Sequence, residues 1–165
     1  MIRKPVIAEA HGVATAAGCQ LVAACDLAYA DTETMFATPG VNIGIFCHTP
    51  LVSVSRTIAK KHAMEMLLLG GLIGASEAKR FGLINDIFEP KELHDRVMAI
   101  AKTISSKSSY VLKMGKETFY KQLNMDLEEA YEYATERMIK NLKADDAKEG
   151  INAFVNKRDP KWKNS

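Results

Sequence analysis

The segment ATAAGCQLVAACDLAYAD, residues 14–31, constrains the fold of this chain more than any other stretch. It places only alanine and glycine at positions 16–18, directly before an apolar run and then a second extended run. Small residues let a backbone approach another backbone or a ligand closely. We therefore predict a tight turn here, a helix over about Gly18–Ala24 and a strand over Leu27–Ala30.

The rest of the chain changes from strands to helices. Further short strands are predicted over Val6–Glu9, Met35–Phe36 and Leu83–Phe88. Helical spacing of apolar residues predicts helices over Leu51–Ala59, His62–Leu69, Ser76–Phe81, from Pro90 to about Ile104, Tyr110–Gln122, from Asp126 to about Leu142, and Ala147–Asn156. Early strands and late helices indicate an α/β fold, with a core over residues 1–105 and a helical region over residues 106–165.

Four helix starts carry capping signals. Ser76 is expected to cap the helix that follows it, and Ser108 or Ser109 the helix over Tyr110–Gln122. Asp126 with Glu129, and Asp146 with Glu149, have the spacing of a capping box.

Composition excludes several classes of partner. The 165 residues carry 22 basic and 20 acidic side chains, a net charge of +2, which is too balanced to indicate nucleic acid. The longest apolar runs fall short of a membrane span. The three cysteines lack C-x-x-C spacing and are expected to be reduced core residues, with no metal bound. Because the chain begins directly in a predicted strand, we expect a preceding part of the protein.

The small-residue turn has a possible chemical role. The first N–H groups of a helix have no partner inside it and carry partial positive charge. The N–H of Ala17, helped by that of Gly18, can therefore hold a carbonyl oxygen that becomes an oxyanion. The alternative is tight packing of strand on helix with no ligand.

Three stretches then resemble the enoyl-CoA hydratase/isomerase (crotonase) family, in order along nearly the whole chain. They are KPVIAEAHGVATAAGCQLVAACDLAYADTETMFATPGVNIG, AMEMLLLGGLIGASEAKRFGLINDIF and EGINAFVNKRDPKW. The resemblance implies a ββα spiral core, of which this chain holds the C-terminal part, followed by helices that form trimers or hexamers. It also implies acyl-CoA thioesters as ligands, with one oxyanion N–H at Ala17 and coenzyme A contacts at Phe154 and Lys157.

The resemblance also shows what is missing. The two family glutamates that move protons in hydration would fall at Gln20 and Gly40, so neither acid is present. A neutral amide cannot take up a proton near neutral pH, and a positioned acid or base supplies ~10²–10⁴ in rate. We expect glutamate at both positions, in a full-length version of the protein, to raise crotonyl-CoA hydration. The neighbours Cys47 and His48 are an alternative nucleophilic pair, although adjacent residues rarely face each other.

These observations leave several functions open. The first is an enoyl-CoA hydratase-like protein of fatty-acid metabolism that holds a thioester at the oxyanion turn. The alternatives are a non-catalytic acyl-CoA-binding or oligomeric assembly module, or a truncated inactive form. No cofactor is expected, because coenzyme A would arrive as part of the ligand. The resemblance implies a mitochondrial location; without a recognisable transit segment in the sequence, a cytoplasmic one stays open.

Overall fold

Two three-stranded sheets organise the first part of the chain. The structure is a computed structural model that describes residues 2–165. The strands are β1 (Ile7–Ala10), β2 (Val13–Thr15), β3 (Leu27–Asp31), β4 (Met35–Ala37), β5 (Ile73–Gly74) and β6 (Asp86–Phe88). One sheet has the order β1-β3-β6 with parallel pairs throughout, and the other has the order β2-β4-β5.

The helices account for most of the remaining chain. They are α1 (Ala17–Ala24), a 3-10 helix (Pro39–Ile43), α2 (His48–Thr57), α3 (Lys60–Leu69), α4 (Ala75–Phe81), α5 (Leu93–Ser105), α6 (Ser109–Gln122), α7 (Leu127–Lys143) and α8 (Asp145–Val155). The chain divides into two compact units, Val6–Ala101 and Lys102–Ser165 with residues 2–5. The predicted boundary between residues 105 and 106 stays a prediction.

Alternation along β3 explains why its sheet is covered on both faces. Successive strand residues point to opposite faces. Ala28 and Ala30 pack into a core with residues of α1, α2, α3 and α4. Leu27 and Tyr29 pack in a second cluster with Leu93 and Val97 of α5. The small alanines on one face let the helices approach closely, as expected for a parallel sheet that is buried on both sides.

The C-terminal residues are tied to the helices of their own unit. Asp146, only 1% exposed, accepts hydrogen bonds from the Ser108 hydroxyl and from the N–H groups of Lys163 and Asn164. The Trp162 indole N–H donates to the Ser106 carbonyl at 2.8 Å. We call residues 158–165 the C-terminal strap.

Most predicted elements are observed, with bounds shifted by a few residues. Two capping predictions are correct: Asp126 accepts the Glu129 N–H at 3.0 Å, and Ser108 accepts the Val111 N–H at 3.2 Å. Two are wrong. α4 begins after Gly74 with no side-chain cap, so Ser76 lies inside it, and Asp146 lies inside α8, where it holds the strap. Strands β2 and β5 were not predicted.

Candidate active site

The candidate site lies where two parallel strands end side by side. β2 pairs with β4 in the register Val13↔Met35 to Thr15↔Ala37. The carboxyl ends of parallel strands meet at the same edge of a sheet, which is where α/β folds place their ligands. α1 begins two residues after β2, and the 3-10 helix begins two residues after β4. The Ala16 N–H donates to the Ala37 carbonyl at 3.0 Å and joins the two turns.

The start of α1 presents unpaired backbone donors. The Gln20 N–H donates to the Ala16 carbonyl at 2.9 Å and closes the first turn. The N–H groups of Ala17, Gly18 and Cys19 therefore have no partner inside the helix. Ala17 and Gly18 are exposed, whereas Cys19 is fully buried. Two adjacent donors at the positive end of the helix thus belong to exposed residues, which suits an interaction with an incoming oxygen.

Ala16 holds this turn in an unusual backbone conformation. It precedes α1 with φ 47° and ψ −110°. A side-chain-bearing residue at positive φ stores ~1–3 kcal/mol of strain, and such residues concentrate at functional sites. Near the end of β4, the Thr38 hydroxyl is fully buried and has no hydrogen-bond partner among residues 2–165. No sequence pattern signals either feature.

Gln20 and Gly40 each lie a few residues after one of the two strands. Gln20 is half-buried in the first turn of α1, and Gly40 lies in the 3-10 helix. A Cβ atom at Gly40 would lie 2.2 Å from the Ile45 carbonyl oxygen and 3.0 Å from the Cys47 Sγ atom. A side chain at position 40 would therefore require the surrounding main chain to shift, and the effect of a glutamate there on hydration stays a prediction.

Cys47 and His48 lie in different environments, although they are adjacent in the chain. Cys47 is buried, and its Sγ atom accepts the Gly40 N–H at 3.4 Å. His48 is exposed, and its ring packs edge-on against Phe46 at 5.6 Å between ring centroids.

Burial, with a smaller contribution from Cys47, raises the pKa of the Cys19 thiol to about 12. Cys19 is therefore a neutral core residue at neutral pH.

Phe154 and Lys157 belong to the C-terminal unit. Phe154 lies near the end of α8 and is 85% exposed. Lys157 is exposed and follows the helix at φ 50°. Their coenzyme A contacts remain a prediction. Within residues 2–165, no three His, Cys, Asp or Glu side chains cluster as metal ligands, and no helix is long and apolar enough to cross a membrane.

Comparison with known proteins agrees with this architecture. All 165 residues, 1–165, match the family model described as enoyl-CoA hydratase/isomerase. The chain belongs to the enoyl-CoA hydratase/isomerase family, and it has the α/β crotonase fold. The segments ATAAGCQL, FATPGVNIGIFC and ETFYKQL indicate, within that family, a relationship to enoyl-CoA hydratase domain-containing protein 3.

The similar proteins bear out this relationship. The chain is 51% identical over 158 residues to "Enoyl-CoA hydratase domain-containing protein 3, mitochondrial" of Mus musculus, covering 96% of this chain and 53% of that protein. The human crystal structure of that protein superposes with a TM-score of 0.94 at 49% identity, over 97% of this chain and 63% of the other. An enoyl-CoA hydratase of Mycobacterium smegmatis gives 0.95 at 46% identity, over 97% and 62%. The chain thus spans about half the length of the curated relatives it matches.

Proposed function

We propose that this chain binds acyl-CoA thioesters of fatty-acid metabolism at the start of α1. The N–H groups of Ala17 and Gly18 hold the thioester oxygen. The observation that carries the proposal is the pair of exposed donors that the Gln20-to-Ala16 hydrogen bond leaves unpaired, at the edge where β2 and β4 end. Aligned donors at a helix start are well suited to an oxygen that gains negative charge.

We infer acyl-CoA as the class of ligand from the family to which the chain belongs. The similar proteins are named as enoyl-CoA hydratases or as carrying that domain. Phe154 and Lys157 are proposed as coenzyme A contacts from the family resemblance alone, because an exposed ring can cover an apolar or aromatic part of a ligand and a lysine supplies a positive charge for phosphate. Coenzyme A enters as part of the ligand, and the proposal includes no separate cofactor.

Binding without hydration is the form of this function that the site supports best. Adding water to an enoyl thioester needs groups that move protons, and such groups contribute ~10²–10⁴ each. Gln20 offers a neutral amide, and position 40 offers no side chain. An oxyanion turn alone polarises the thioester and positions it, but it does not activate water.

The test is calorimetric titration of the purified chain with butyryl-CoA and crotonyl-CoA, with chromatography of the same samples for hydrated product. Ala17→Pro is the diagnostic variant, because proline at the first position of a helix lacks the N–H. Since Ala16 at ψ −110° is not in the extended conformation that suits a following proline, thermal melting is measured beside binding, and the variant counts only if it melts like the unmodified chain. Losing one hydrogen bond of this kind weakens binding by about tenfold. Lys60→Pro is the matched control, since Lys60 is the first residue of α3 and follows Ala59 at ψ 141°, which suits a following proline.

The outcomes separate the alternatives. Binding without product, weakened by Ala17→Pro and unchanged by Lys60→Pro, supports the proposal. Binding that both variants leave unchanged places the ligand elsewhere. Formation of hydroxyacyl-CoA by the unmodified chain contradicts binding without hydration. No binding of either thioester contradicts the proposed function of this chain and favours a truncated inactive form.

A second candidate function is the assembly of several copies of this chain, and the observation that favours it is an exposed apolar face of α7. Leu127, Tyr131, Met138 and Leu142 are 77%, 70%, 58% and 51% exposed, and their spacing places them on one face of the helix. We call these four residues the α7 stripe. An exposed apolar stripe of this length is typical of an interaction surface. Its proposed occupant is another copy of this chain, in a trimer or hexamer as the family resemblance implies.

The compartment is proposed from the relatives. The mouse and human relatives are both named as mitochondrial proteins. We propose the mitochondrion as the location of the protein that contains this chain.

A further inference from the structure

The segment from Gly40 to Cys47 folds back on itself and is closed by hydrogen bonds between its own residues. The Ile45 N–H donates to the Gly40 carbonyl at 2.9 Å, and the Gly44 N–H donates to the Val41 carbonyl at 3.3 Å. The Gly40 N–H in turn donates to the Cys47 Sγ atom at 3.4 Å. Both polar backbone groups of Gly40 are therefore used inside this segment, which we call the Gly40 turn.

The Gly40 turn leaves no space for a side chain at position 40. A Cβ atom there would lie 2.2 Å from the Ile45 carbonyl oxygen, 3.0 Å from the Cys47 Sγ atom and 3.2 Å from the Ile45 carbonyl carbon. Two of these three atoms belong to the backbone, which cannot rotate away as a flexible side chain does. Overpacking of this kind costs stability unless the main chain moves.

Neighbouring contacts oppose such a movement. The Asn42 side-chain amide donates to the Gly70 carbonyl at 3.0 Å and fixes the turn to the end of α3. On the other side, Cys47 is buried and lies close enough to Cys19 of α1 to contribute to the raised pKa of that thiol. The Gly40 turn is thus fixed to α3 by a hydrogen bond, and its last residue is buried.

We propose that Gly40 is a specificity-determining residue, because the Gly40 turn closes the place from which a second acid would act on a bound thioester. This inference rests on the proposed function, in which position 40 is that of the missing acid. The site then holds a thioester but cannot be converted into a two-acid hydratase by restoring side chains. Position 20 differs, because half-buried Gln20 can be replaced by the equally long glutamate.

The first experiment compares Gly40→Ala with Gly71→Ala in the same chain. A Cβ atom added at Gly71 would meet no heavy atom within 4 Å, so this position is the control for adding one methyl group. Thermal melting and titration with butyryl-CoA are measured for both. We expect Gly40→Ala to lower the melting temperature by roughly 5 °C and to weaken binding, whereas Gly71→Ala changes the melting temperature by less than about 2 °C.

The second experiment asks whether chemistry returns. Crotonyl-CoA hydration is measured for Gln20→Glu and for Gln20→Glu combined with Gly40→Glu. We expect the double variant to hydrate crotonyl-CoA no faster than the single variant. If the double variant fails to fold, the comparison of Gly40→Ala with Gly71→Ala decides the question.

Each result bears on one claim. A Gly40→Ala variant that melts and binds like Gly71→Ala overturns the inference, and so does faster hydration by the double variant than by Gln20→Glu. If the unmodified chain binds no acyl-CoA, the proposed function fails. The melting comparison then still shows whether position 40 is closed, so that the two failures are distinguishable.

Discussion

At the scale of single residues, Ala16 has a backbone conformation that its residue type disfavours. Its φ of 47° lies in the region that glycine adopts without cost. We expect Ala16→Gly to stabilise the chain by about 1 kcal/mol, because relief of ~1–3 kcal/mol of strain exceeds the ~0.5–1 kcal/mol entropic cost of glycine. Differential scanning calorimetry should show a rise of about 3 °C in melting temperature.

The control for Ala16→Gly is Ala59→Gly. Ala59 also precedes a helix, but its φ is −59°, so glycine relieves no strain there. The difference between the two variants isolates backbone strain from helix capping. If both shift the melting temperature equally, the positive φ of Ala16 stores no energy.

Cys19 yields a second prediction at this scale. The thiolate is the reactive form of cysteine, and with a pKa of about 12 the Cys19 thiol stays neutral at pH 8. We expect iodoacetamide at pH 8 to leave Cys19 unmodified in the folded chain and to modify it fully in urea. Peptide mass spectrometry reads the extent at each cysteine, with Cys25, which is partly exposed, as the internal comparison. Rapid labelling of Cys19 without denaturant would contradict its burial.

The sequence predicts local features well and their tertiary use poorly. The capping roles of Asp126 and Ser108 follow from spacing because each bonds a backbone N–H three residues on. Asp146 and Glu149 have the same spacing, yet the Asp146 carboxylate accepts hydrogen bonds from the N–H groups of Lys163 and Asn164, which are 17 and 18 residues further along the chain. Nothing near Gly40 in the sequence reveals that the Ile45 carbonyl fills the space beside it.

At the scale of elements, the C-terminal strap depends on one buried carboxylate. Burial raises the pKa of Asp146, but hydrogen bonds from Ser108, Lys163 and Asn164 outweigh burial and hold that pKa below its usual range. The unfolded chain, with a pKa of about 3.9, then binds more protons in acid. The stabilising contribution of Asp146 is therefore complete above about pH 5 and is lost as the pH falls through the folded-state pKa.

Urea unfolding from pH 7 down to pH 2 measures this dependence. We expect Asp146→Asn to lower the free energy of unfolding by about 2 kcal/mol at pH 7, because three donors lose a charged acceptor. The variant should also flatten the decline below pH 4. Asp145→Asn is the matched control, since Asp145 is exposed and pairs with Lys148 and Lys163 at the surface. An Asp146→Asn curve parallel to that of the unmodified chain would exclude this role.

Strands β2 and β5 were not predicted, and the reason lies in how short elements form. β2 has three residues and leads directly into the Ala-Ala-Gly turn, and β5 consists of only Ile73 and Gly74, so neither stands out from the small residues around it. Both exist because they pair with β4, and β5 lies more than 35 residues further along the chain. The longer helices were predicted because their apolar spacing repeats over several turns.

At the scale of the whole molecule, the exposed α7 stripe predicts that the chain associates with itself, and this can be measured. None of the 17 residues of α7, all within the described part of the chain, is buried. A helix of this kind gains most of its stability by packing its apolar face. We expect the unmodified chain to sediment as a multimer of its 18.2 kDa mass and Met138→Glu to shift it towards the monomer.

Lys140→Glu is the control for this shift. Lys140 is exposed and lies on the opposite side of α7 from the stripe, so its replacement changes charge without touching the apolar face. Sedimentation velocity at several concentrations reports the mass of each variant. A monomeric unmodified chain, or equal dissociation by both variants, would contradict assembly through the α7 stripe.

The Gly40 turn also bears on how this lineage can change over time. A glycine codon can become a glutamate codon through one nucleotide, so the genetic distance to an acid at this position is short. The folded chain makes that single step unfit, because the new side chain meets the Ile45 carbonyl before it can serve any chemistry. Accepting the side chain would first require other mutations that open residues 41–47. The packing of this turn therefore opposes an acid at position 40, although the genetic code offers one in a single step.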